Sequence, residues 1–259
     1  MGRGNAGVIL EAINVMKAYG SGESRTVALR DIDLEIREGE LILLLGPSGC
    51  GKTTFLNMVA GFLTTTDGTL VCRGKPVGKP DPSRGVIFQD ATLFPWMTVR
   101  ENLLFGPKVR GLLQKDGKEE YERRARNLLE MVNLTGFENH LPRELSGGMR
   151  SRAALIRTLI NEPNILLADE PFASLDAYTR EGLQDVFLDI WEKTNSTILF
   201  ITHDIEEAVY LADTIYVMTA SPGTIKEEVD VELERPRDRY SEEFGEYRRK
   251  IYDLVRPEL

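Results

Sequence analysis

The sequence predicts an α/β fold, because short apolar runs typical of buried strands alternate with segments of helical periodicity. The runs at 41–45, 165–169 and 197–202 are almost wholly apolar, as expected for strands that are covered on both faces of a sheet. A glycine-rich loop separates the first run from a helix that starts near Thr54. Strands and helices in this alternation form a sheet with helices packed around it.

Two further regions accompany this α/β core. Ile32, Leu34 and Ile36 alternate with polar residues, which predicts a small β region that leads into the buried strand at 41–45. From about Ala91 to Arg157 the apolar residues recur at helical spacing, which predicts an inserted helical subdomain. The predicted domains are the core with its β subdomain at 1–90 and 158–225, the helical insertion at 91–157, and a C-terminal tail at 226–259.

The tail contains a predicted amphipathic helix. Ser241 can cap its first turn, which carries two glutamates that complement the helix dipole. An apolar stripe follows one face of the helix and consists of Phe244, Tyr247, Ile251 and Leu254. Two interpretations stay open: the stripe packs against the core of this chain, or it contacts a partner or regulator.

Composition indicates an ordinary globular protein. Hydrophobic residues make up 42% and charged residues 28% of the chain, which argues against disorder and a membrane-embedded protein. No apolar run approaches the roughly 20 residues of a membrane-spanning helix, and no secretory signal is expected at the start. The 32 basic and 41 acidic residues give a net charge of −9, which disfavours nucleic acid as a partner. With two cysteines, neither a disulfide framework nor a zinc cluster is expected, and a reducing cytoplasm fits best.

A phosphate-binding loop is predicted at residues 46–53, which read GPSGCGKT between an apolar strand and a helix. Its glycines let backbone N–H groups close around the β- and γ-phosphates, and the helix N-terminus favours the anion. Lys52 would neutralise phosphate charge, and the Thr53 hydroxyl would coordinate Mg²⁺. The loop therefore predicts a nucleoside triphosphate as ligand.

Two adjacent carboxylates end the second apolar run. Asp169 and Glu170 leave the carboxyl end of a buried strand, where parallel α/β sheets place their ligand-binding residues. Such a pair alone is more typical of a solvated turn, but together with a phosphate loop it predicts an NTPase. Asp169 would then hold Mg²⁺ through water, and Glu170 would orient and deprotonate the attacking water.

The segment LSGGM at 145–149 opens a helix and separates this chain from other phosphate-loop proteins. Here the sequence resembles the ATP-binding-cassette (ABC) family, which has a RecA-like P-loop NTPase core with a small antiparallel β subdomain and an inserted α-helical subdomain. The resemblance covers about residues 8–225. In that family the signature serine and glycines cover the γ-phosphate bound by the opposite subunit. Those positions are occupied here by Ser146, Gly147 and Gly148.

Further motifs match the family in their order along the chain. By that comparison Tyr19 stacks on adenine, and Gln89 senses Mg²⁺ and the attacking water. Asp176 lines the dimer interface, and His203 hydrogen-bonds the γ-phosphate. Each residue alone is more typical of packing or of the surface. The resemblance thus implies catalytic roles for Lys52, Gln89, Glu170 and His203, metal binding by Thr53, Gln89 and Asp169, and ATP contacts by Tyr19, Gly46, Pro47, Ser48, Gly49, Cys50, Gly51, Lys52, Thr53, Thr54, Ser146, Gly147, Gly148 and Asp176.

One phosphate loop and one signature per chain imply that a complete ATP site needs two chains. The resemblance therefore implies a Mg²⁺-dependent ATPase that dimerises with itself or a similar subunit and binds integral-membrane permease subunits at the cytoplasmic face of the inner membrane. Segments such as PWMTVRENL and THDIEEAVYLADTIYVMTASPGTI resemble the nitrate, sulfonate and taurine import group, which implies a solute-binding protein as an indirect partner. Two alternatives stay open: a soluble cassette ATPase that acts on a macromolecule, and a non-hydrolytic interaction module.

An aromatic segment directly after Gln89 has two readings. Phe94, Trp96 and Met97 stand near the position where the family receives coupling helices of its permease. The same residues could equally form the apolar core of the helical subdomain.

The chain also departs from the family pattern. Met149, Ser151 and Ala168 replace common residues without removing a catalytic group, so they bear on rate more than on activity. Cys50 stands inside the phosphate loop near Lys52, which suggests a lowered thiol pKa and a thiol-sensitive ATPase as a secondary hypothesis.

Overall fold

A computed structural model of the chain describes residues 7–90 and 92–256, apart from the side chain of Glu23. The predicted boundary at Ala91 and the two extreme ends of the chain lie outside the described residues. Two compact units are distinguished: residues up to 84 together with those from 196 onward, and residues 85–195. The predicted helical insertion at 91–157 falls within the second unit, which also holds 158–195. The exact domain boundaries stay a prediction.

Strands and helices alternate along the chain, and the predicted α/β class is confirmed. The elements are β1 (Val8–Tyr19), β2 (Thr26–Arg37), β3 (Leu41–Leu45), α1 (Lys52–Ala60), β4 (Asp67–Cys72), β5 (Lys75–Pro76), β6 (Arg84–Ile87), α2 (Val99–Val109), α3 (Lys118–Met131), α4 (Gly147–Leu159), β7 (Ile165–Asp169), α5 (Ala177–Thr194), β8 (Thr197–Thr202), α6 (Ile205–Leu211), β9 (Thr214–Met218), β10 (Ile225–Asp230) and α7 (Glu242–Val255). Short helical turns span Gly22–Ser24, Leu113–Gly117 and Pro142–Glu144. The three apolar runs of the sequence are β3, β7 and β8.

An antiparallel sheet in the order β2-β1-β4-β5 forms one part of the first unit. Ile32, Leu34 and Ile36 are buried while the residues between them are exposed, because alternate side chains of a strand point to opposite faces. Gly68 lies where β4 approaches β1, and a Cβ atom there would be only 2.2 Å from the carbonyl oxygen of Asn14. The predicted β subdomain is therefore a sheet with one buried face.

A parallel arrangement forms the other part of the first unit. β3 lies between β8 and β9 and is parallel to both, while β10 pairs antiparallel with β9. Every residue of β3 and β8 is buried, which explains their nearly continuous apolar sequence. Leu45 at the end of β3 pairs with Thr202 of β8 and with Val217 of β9. The loops that follow these three strands therefore leave the same carboxyl edge, where α/β sheets bind ligands.

The second unit combines the neighbouring strands β6 and β7 with helices α2 to α5. Helix α3 buries Tyr121, Ala125 and Leu129, which share one face at four-residue spacing. The guanidinium group of Arg152 in α4 donates to the carbonyl oxygen of Val132 at 2.9 Å, just after α3 ends. These contacts give the helical part of the unit a core of its own.

The tail helix α7 packs on the first unit itself, as one of the two open interpretations expected. Ser241 caps the helix, since its hydroxyl oxygen accepts a 3.1 Å hydrogen bond from the N–H of Phe244. Phe244 and Ile251 are fully buried, and α7 contacts α6 and β9. The hydroxyl oxygen of Tyr247 accepts a hydrogen bond from the backbone N–H of Glu232 at 3.1 Å.

Two arginines that follow β10 bind the C-terminal end of α6. Arg237 is 6% exposed, and it donates to the carbonyl oxygens of Val209 at 2.7 Å and Tyr210 at 3.2 Å. Arg235 donates to the carbonyl oxygen of Leu211 at 2.6 Å. The last carbonyl groups of a helix lack partners within the helix, and here the two arginine side chains donate hydrogen bonds to them. Burial lowers the pKa of Arg237 to about 10, which still leaves the side chain protonated at neutral pH.

We expect Arg237→Ala to lower the free energy of unfolding by about 2 kcal/mol, because it leaves buried carbonyl oxygens without a donor. Urea denaturation followed by circular dichroism measures the change. Arg248→Ala, at an exposed position of α7, is the matched control and should stay within about 0.5 kcal/mol of the unmodified protein. Equal losses of unfolding free energy in the two variants would show that the buried hydrogen bonds of Arg237 make no specific contribution to stability.

Candidate functional site

The predicted phosphate loop connects β3 to α1 in the first unit. Gly49 and Gly51 have φ angles of 79° and 100°, a left-handed region that suits glycine. Gly51 is the N-cap of α1 and has no side chain that could cap the helix. A helix N-terminus that follows a glycine-rich loop suits an anion, because its N–H groups and its dipole favour negative charge.

Lys52 lies beneath the loop and is 5% exposed. Its ammonium group donates to the carbonyl oxygens of Gly46 at 2.7 Å and Pro47 at 3.1 Å. These carbonyl groups replace water around the cation but leave its charge uncompensated. A buried charge of this kind favours an anionic ligand.

Cys50 is 1% exposed, and its sulfur is 3.9 Å from the Lys52 ammonium nitrogen. Burial raises the pKa of the thiol, and this effect outweighs the opposing influence of Lys52. The hypothesis of a lowered thiol pKa at Cys50 is therefore wrong, because the sequence reveals the neighbouring charge but not the burial.

Two further predicted residues lie near this loop within the first unit. The Tyr19 hydroxyl is 3.5 Å from the hydroxyl of Thr54 in the first turn of α1, and Tyr19 is 42% exposed. His203 is exposed and directly follows β8, which is adjacent and parallel to β3. Asp204 caps α6 by accepting from the N–H groups of Glu206 and Glu207. In the first unit, the phosphate loop and His203 thus follow neighbouring parallel strands, and Tyr19 at the end of β1 lies next to the first turn of α1.

The acidic pair is located in the second unit, at the carboxyl end of β7. Asp169 is the last residue of the strand, and Glu170 follows with a φ angle of 45°. A left-handed conformation costs a residue other than glycine roughly 1–2 kcal/mol. Residues held in such sparsely populated regions cluster at active sites. Other described residues with positive φ, such as Asn133 and Glu162, share this conformation, so it is the position of Glu170 after the buried strand β7 that distinguishes it.

The signature and Asp176 are brought together in the second unit. Ser146 caps α4, since its hydroxyl oxygen accepts from the N–H of Met149 at 3.3 Å. Asp176 caps α5, accepting from the N–H and hydroxyl of Thr179 at 3.0 and 2.7 Å. The Thr179 hydroxyl lowers the pKa of the Asp176 carboxyl. A Cβ atom on Gly148 would be 2.8 Å from the Thr179 methyl group, so both motifs share one neighbour.

Gln89 is exposed after β6, and the segment that follows it is held by residues the sequence analysis missed. Asn102 is fully buried in α2, accepts from the N–H of Phe94 at 2.7 Å and donates to the carbonyl oxygen of Met97 at 3.0 Å. The guanidinium group of Arg157 lies 4.4 Å from the centre of the Phe94 ring. The only sign of Asn102 in the sequence was a polar residue within an amphipathic helix, because burial is not visible there.

The two interpretations of the aromatic segment apply to different residues. Phe94 is half-buried beside the core of the second unit, where its ring centre is 4.5 Å from that of Phe105 and 5.7 Å from that of Trp96. Trp96 is 71% exposed and forms no part of that core. The segment therefore presents one large aromatic side chain on a turn whose backbone is fixed from inside.

Burial of Cys50 leads to a testable expectation. In a Cys72→Ala protein at pH 8, we expect Cys50 to react with a thiol reagent at least roughly tenfold more slowly in the folded state than in urea, because the folded state holds less thiolate. A spectrophotometric thiol assay gives both rates, and a protein lacking both cysteines sets the background. Equal rates in the two states would contradict the raised pKa.

Comparisons with known proteins identify the family of this chain. The family model described as ABC transporter matches residues 29–173. An uncharacterised ABC transporter ATP-binding protein of Methanocaldococcus jannaschii, MJ0412, is 48% identical over 97% of this chain and 93% of its own length. The aliphatic sulfonates import ATP-binding protein SsuB of Bacillus cereus is 42% identical over 93% of each chain.

Solved structures have the same fold. The ATP-binding cassette MJ0796, described as a dimer in a post-hydrolysis state bound to ADP and Pi, is 32% identical with a TM-score of 0.71 over 87% of this chain and 100% of that chain. The protein cbiO1 of Clostridium perfringens, described as part of the ABC transporter complex cbiONQ, is 26% identical with a TM-score of 0.77 over 86% and 89% of the two chains. The predicted family and P-loop fold are confirmed. The chain belongs to the ABC transporter family, as one of its ATP-hydrolysing subunits.

Proposed function

We propose that this chain hydrolyses ATP at the cytoplasmic face of a membrane to drive import of a small anion through a separate permease. The solute would be nitrate, a sulfonate, taurine or a related compound. The observation that carries the proposal is the phosphate loop, with its uncapped helix end and the buried Lys52. The 42% identity to a protein named for aliphatic sulfonate import supports the solute class.

ATP would bind through its phosphates and its base. Backbone N–H groups of the loop and the Lys52 ammonium group would hold the β- and γ-phosphates. Tyr19 would stack on the adenine, for which its partly exposed ring and its position beside Thr54 are suitable. Binding of this kind combines a fixed cation with preformed N–H donors, so little reorganisation is needed.

Hydrolysis would be carried out by three side chains that follow the carboxyl ends of β6, β7 and β8. Glu170 would accept a proton from the attacking water while the water oxygen bonds to the γ-phosphorus and ADP leaves. His203 would donate a hydrogen bond to the γ-phosphate, and Gln89 would orient the water. The left-handed backbone of Glu170 supports a role that requires a fixed carboxylate direction.

We also propose that Mg²⁺ accompanies the nucleotide. Thr53, Asp169 and Gln89 would hold it, directly or through water, and each offers the hard oxygen atom that Mg²⁺ prefers. When bound, the ion would draw negative charge from the phosphates and favour departure of ADP. The chain itself would contribute the orientation of these oxygen atoms.

Dimerisation and a permease complete the proposed assembly. The signature at Ser146–Gly148 would cover the nucleotide of a second copy or a similar subunit, which the dimeric MJ0796 cassette supports. None of the described helices is long and apolar enough to cross a membrane. The membrane-spanning part would belong to permease subunits, and a solute-binding protein would deliver the cargo to them.

A Glu170→Gln variant tests the function directly. We expect ATP hydrolysis to fall by about a thousandfold, because a general base is lost, while ATP binding stays intact. Phosphate release and nucleotide binding are measured on the purified chain. Glu192→Gln, an exposed carboxylate on α5, is the matched control and should hydrolyse ATP normally.

The same variant, tagged and purified from detergent-solubilised membranes with ATP and Mg²⁺, identifies the partners. Recovery of a multi-span permease supports the transporter function and supplies the protein whose transport of sulfonates can be assayed. Recovery of soluble or ribosomal proteins without a membrane chain contradicts it and favours a cassette ATPase that acts on a macromolecule.

Trp96→Ala tests where the permease docks. We expect the variant to lose most of the co-purifying permease, because a large exposed aromatic side chain on a fixed turn is typical of a binding hot spot. Tyr240→Ala is the control, since Tyr240 is 95% exposed but belongs to the first unit. Normal recovery of permease with Trp96→Ala would refute the docking role.

A further inference from the structure

A loop outside the predicted site residues packs against the phosphate loop. Residues 219–224 read TASPGT and connect β9 to β10 in the first unit. We call them the support loop. Because β9 is parallel to β3, both loops leave the same edge of the sheet. The support loop therefore has direct access to the phosphate loop.

Gly223 lies so close to the phosphate loop that no side chain fits. A Cβ atom on it would be 1.9 Å from the carbonyl oxygen of Cys50 and 3.0 Å from the terminal methyl group of Met218. Real Cβ contacts below 3.0 Å are essentially absent, so the position needs glycine because of close approach. Even alanine would push the carbonyl group of Cys50 out of place.

Main-chain hydrogen bonds hold Gly223 where it is. Its N–H donates to the carbonyl oxygen of Ala28 at 2.9 Å, and its carbonyl oxygen accepts from the N–H of Arg30 at 2.9 Å. Leu29, between these two residues, packs on the phosphate loop as well, since a Cβ atom on Gly51 would be 2.5 Å from its methyl carbon. Strand β2 and the support loop thus form one rigid surface beside the phosphate loop.

Ser221 adds a direct bond to the phosphate loop. Its hydroxyl donates to the carbonyl oxygen of Gly49 at 3.2 Å. The support loop is itself closed by Thr219 and Thr224, whose N–H groups and oxygen atoms form two hydrogen bonds of 3.0 Å across its base. Because these hydrogen bonds fix its base, the support loop can hold the phosphate loop in place.

We propose that the support loop positions the phosphate loop for ATP, with Gly223 and Ser221 as positioning residues. The proposal rests on the proposed role of the phosphate loop in ATP binding. A peptide group is planar and trans, so its C=O and N–H point in opposite directions. The carbonyl group of Cys50 shares its peptide group with the N–H of Gly51, so fixing this carbonyl group on one side fixes the Gly51 N–H on the other. The carbonyl group of Gly49 fixes the N–H of Cys50 in the same way, and that N–H donates to the carbonyl oxygen of Pro47 at 3.3 Å. Neither positioning residue touches the nucleotide.

This role affects binding more than chemistry. The phosphates are held by the loop in both the ground state and the transition state, so a disordered loop weakens both equally. Loss of such uniform binding raises KM and leaves kcat nearly unchanged. A residue that only contributed stability would lower the melting temperature without moving KM in the fraction that is still folded.

The experiment measures affinity for ATP with Mg²⁺ by titration calorimetry, together with KM and kcat, on the full chain. We expect Gly223→Ala to raise Kd and KM at least about tenfold with kcat within about twofold. Ser221→Ala should raise both constants roughly threefold, the effect of one neutral hydrogen bond, and Ser221→Thr should restore them. Gly78→Ala is the matched control, because Gly78 belongs to the same unit and a methyl group added there would meet open space.

The outcomes separate the two proposals. Unmodified protein that binds and hydrolyses ATP, with Gly223→Ala and Ser221→Ala indistinguishable from it, overturns the support role and leaves the proposed function standing. Unmodified protein that does not bind ATP overturns both. If Gly223→Ala fails to fold, as judged by circular dichroism, the serine pair decides: equal Kd values for Ser221→Ala and Ser221→Thr overturn the support role.

Discussion

Close approach of main chains around a buried cation is the constraint on which this site depends. Lys52 can be buried only because carbonyl groups of the phosphate loop surround it, and those groups must therefore curl tightly over its side chain. Tight curling requires the left-handed conformation of Gly51, which also leaves the start of α1 without a side-chain cap. The proposed anion site and the buried cation are thus consequences of one backbone conformation. The fully buried strand β3 places this loop at the carboxyl edge of the sheet.

Local patterns allowed much of the fold to be predicted. Strands β7 and β8 have the predicted bounds because apolar runs covered on both faces end where polar residues begin. Helix α1 begins two residues earlier than expected, at Lys52, because the helix starts directly after the left-handed Gly51. Capping by Ser241 was predictable since it needs only neighbouring residues.

Features that depend on distant residues were not predictable. Gly223 stands next to a proline and so resembles an ordinary turn glycine, and only the folded chain brings it to the carbonyl group of Cys50. The thiol pKa of Cys50 was predicted with the wrong sign for the same reason: Lys52 is visible two residues away, whereas burial is a property of the fold. The burial of Asn102 was also invisible in the sequence. Its partners are loop atoms only up to eight residues earlier, but the contacts depend on how that loop folds.

The second unit uses buried polar groups to fix an exposed surface. Asn102 satisfies main-chain groups of the segment at 94–98, and Arg157 covers the ring of Phe94, so the turn that carries Trp96 has little freedom. A surface that is ordered before binding avoids the entropy cost of ordering on contact. Truncation of Asn102 would leave several main-chain groups without partners and would loosen the turn. Truncation of Trp96 would remove its exposed surface and its ring contact with Phe94 but no main-chain hydrogen bond of the turn. Asn102 therefore contributes mainly to the rigidity of the turn and Trp96 mainly to its exposed surface, so mutation can separate the two contributions to the proposed docking.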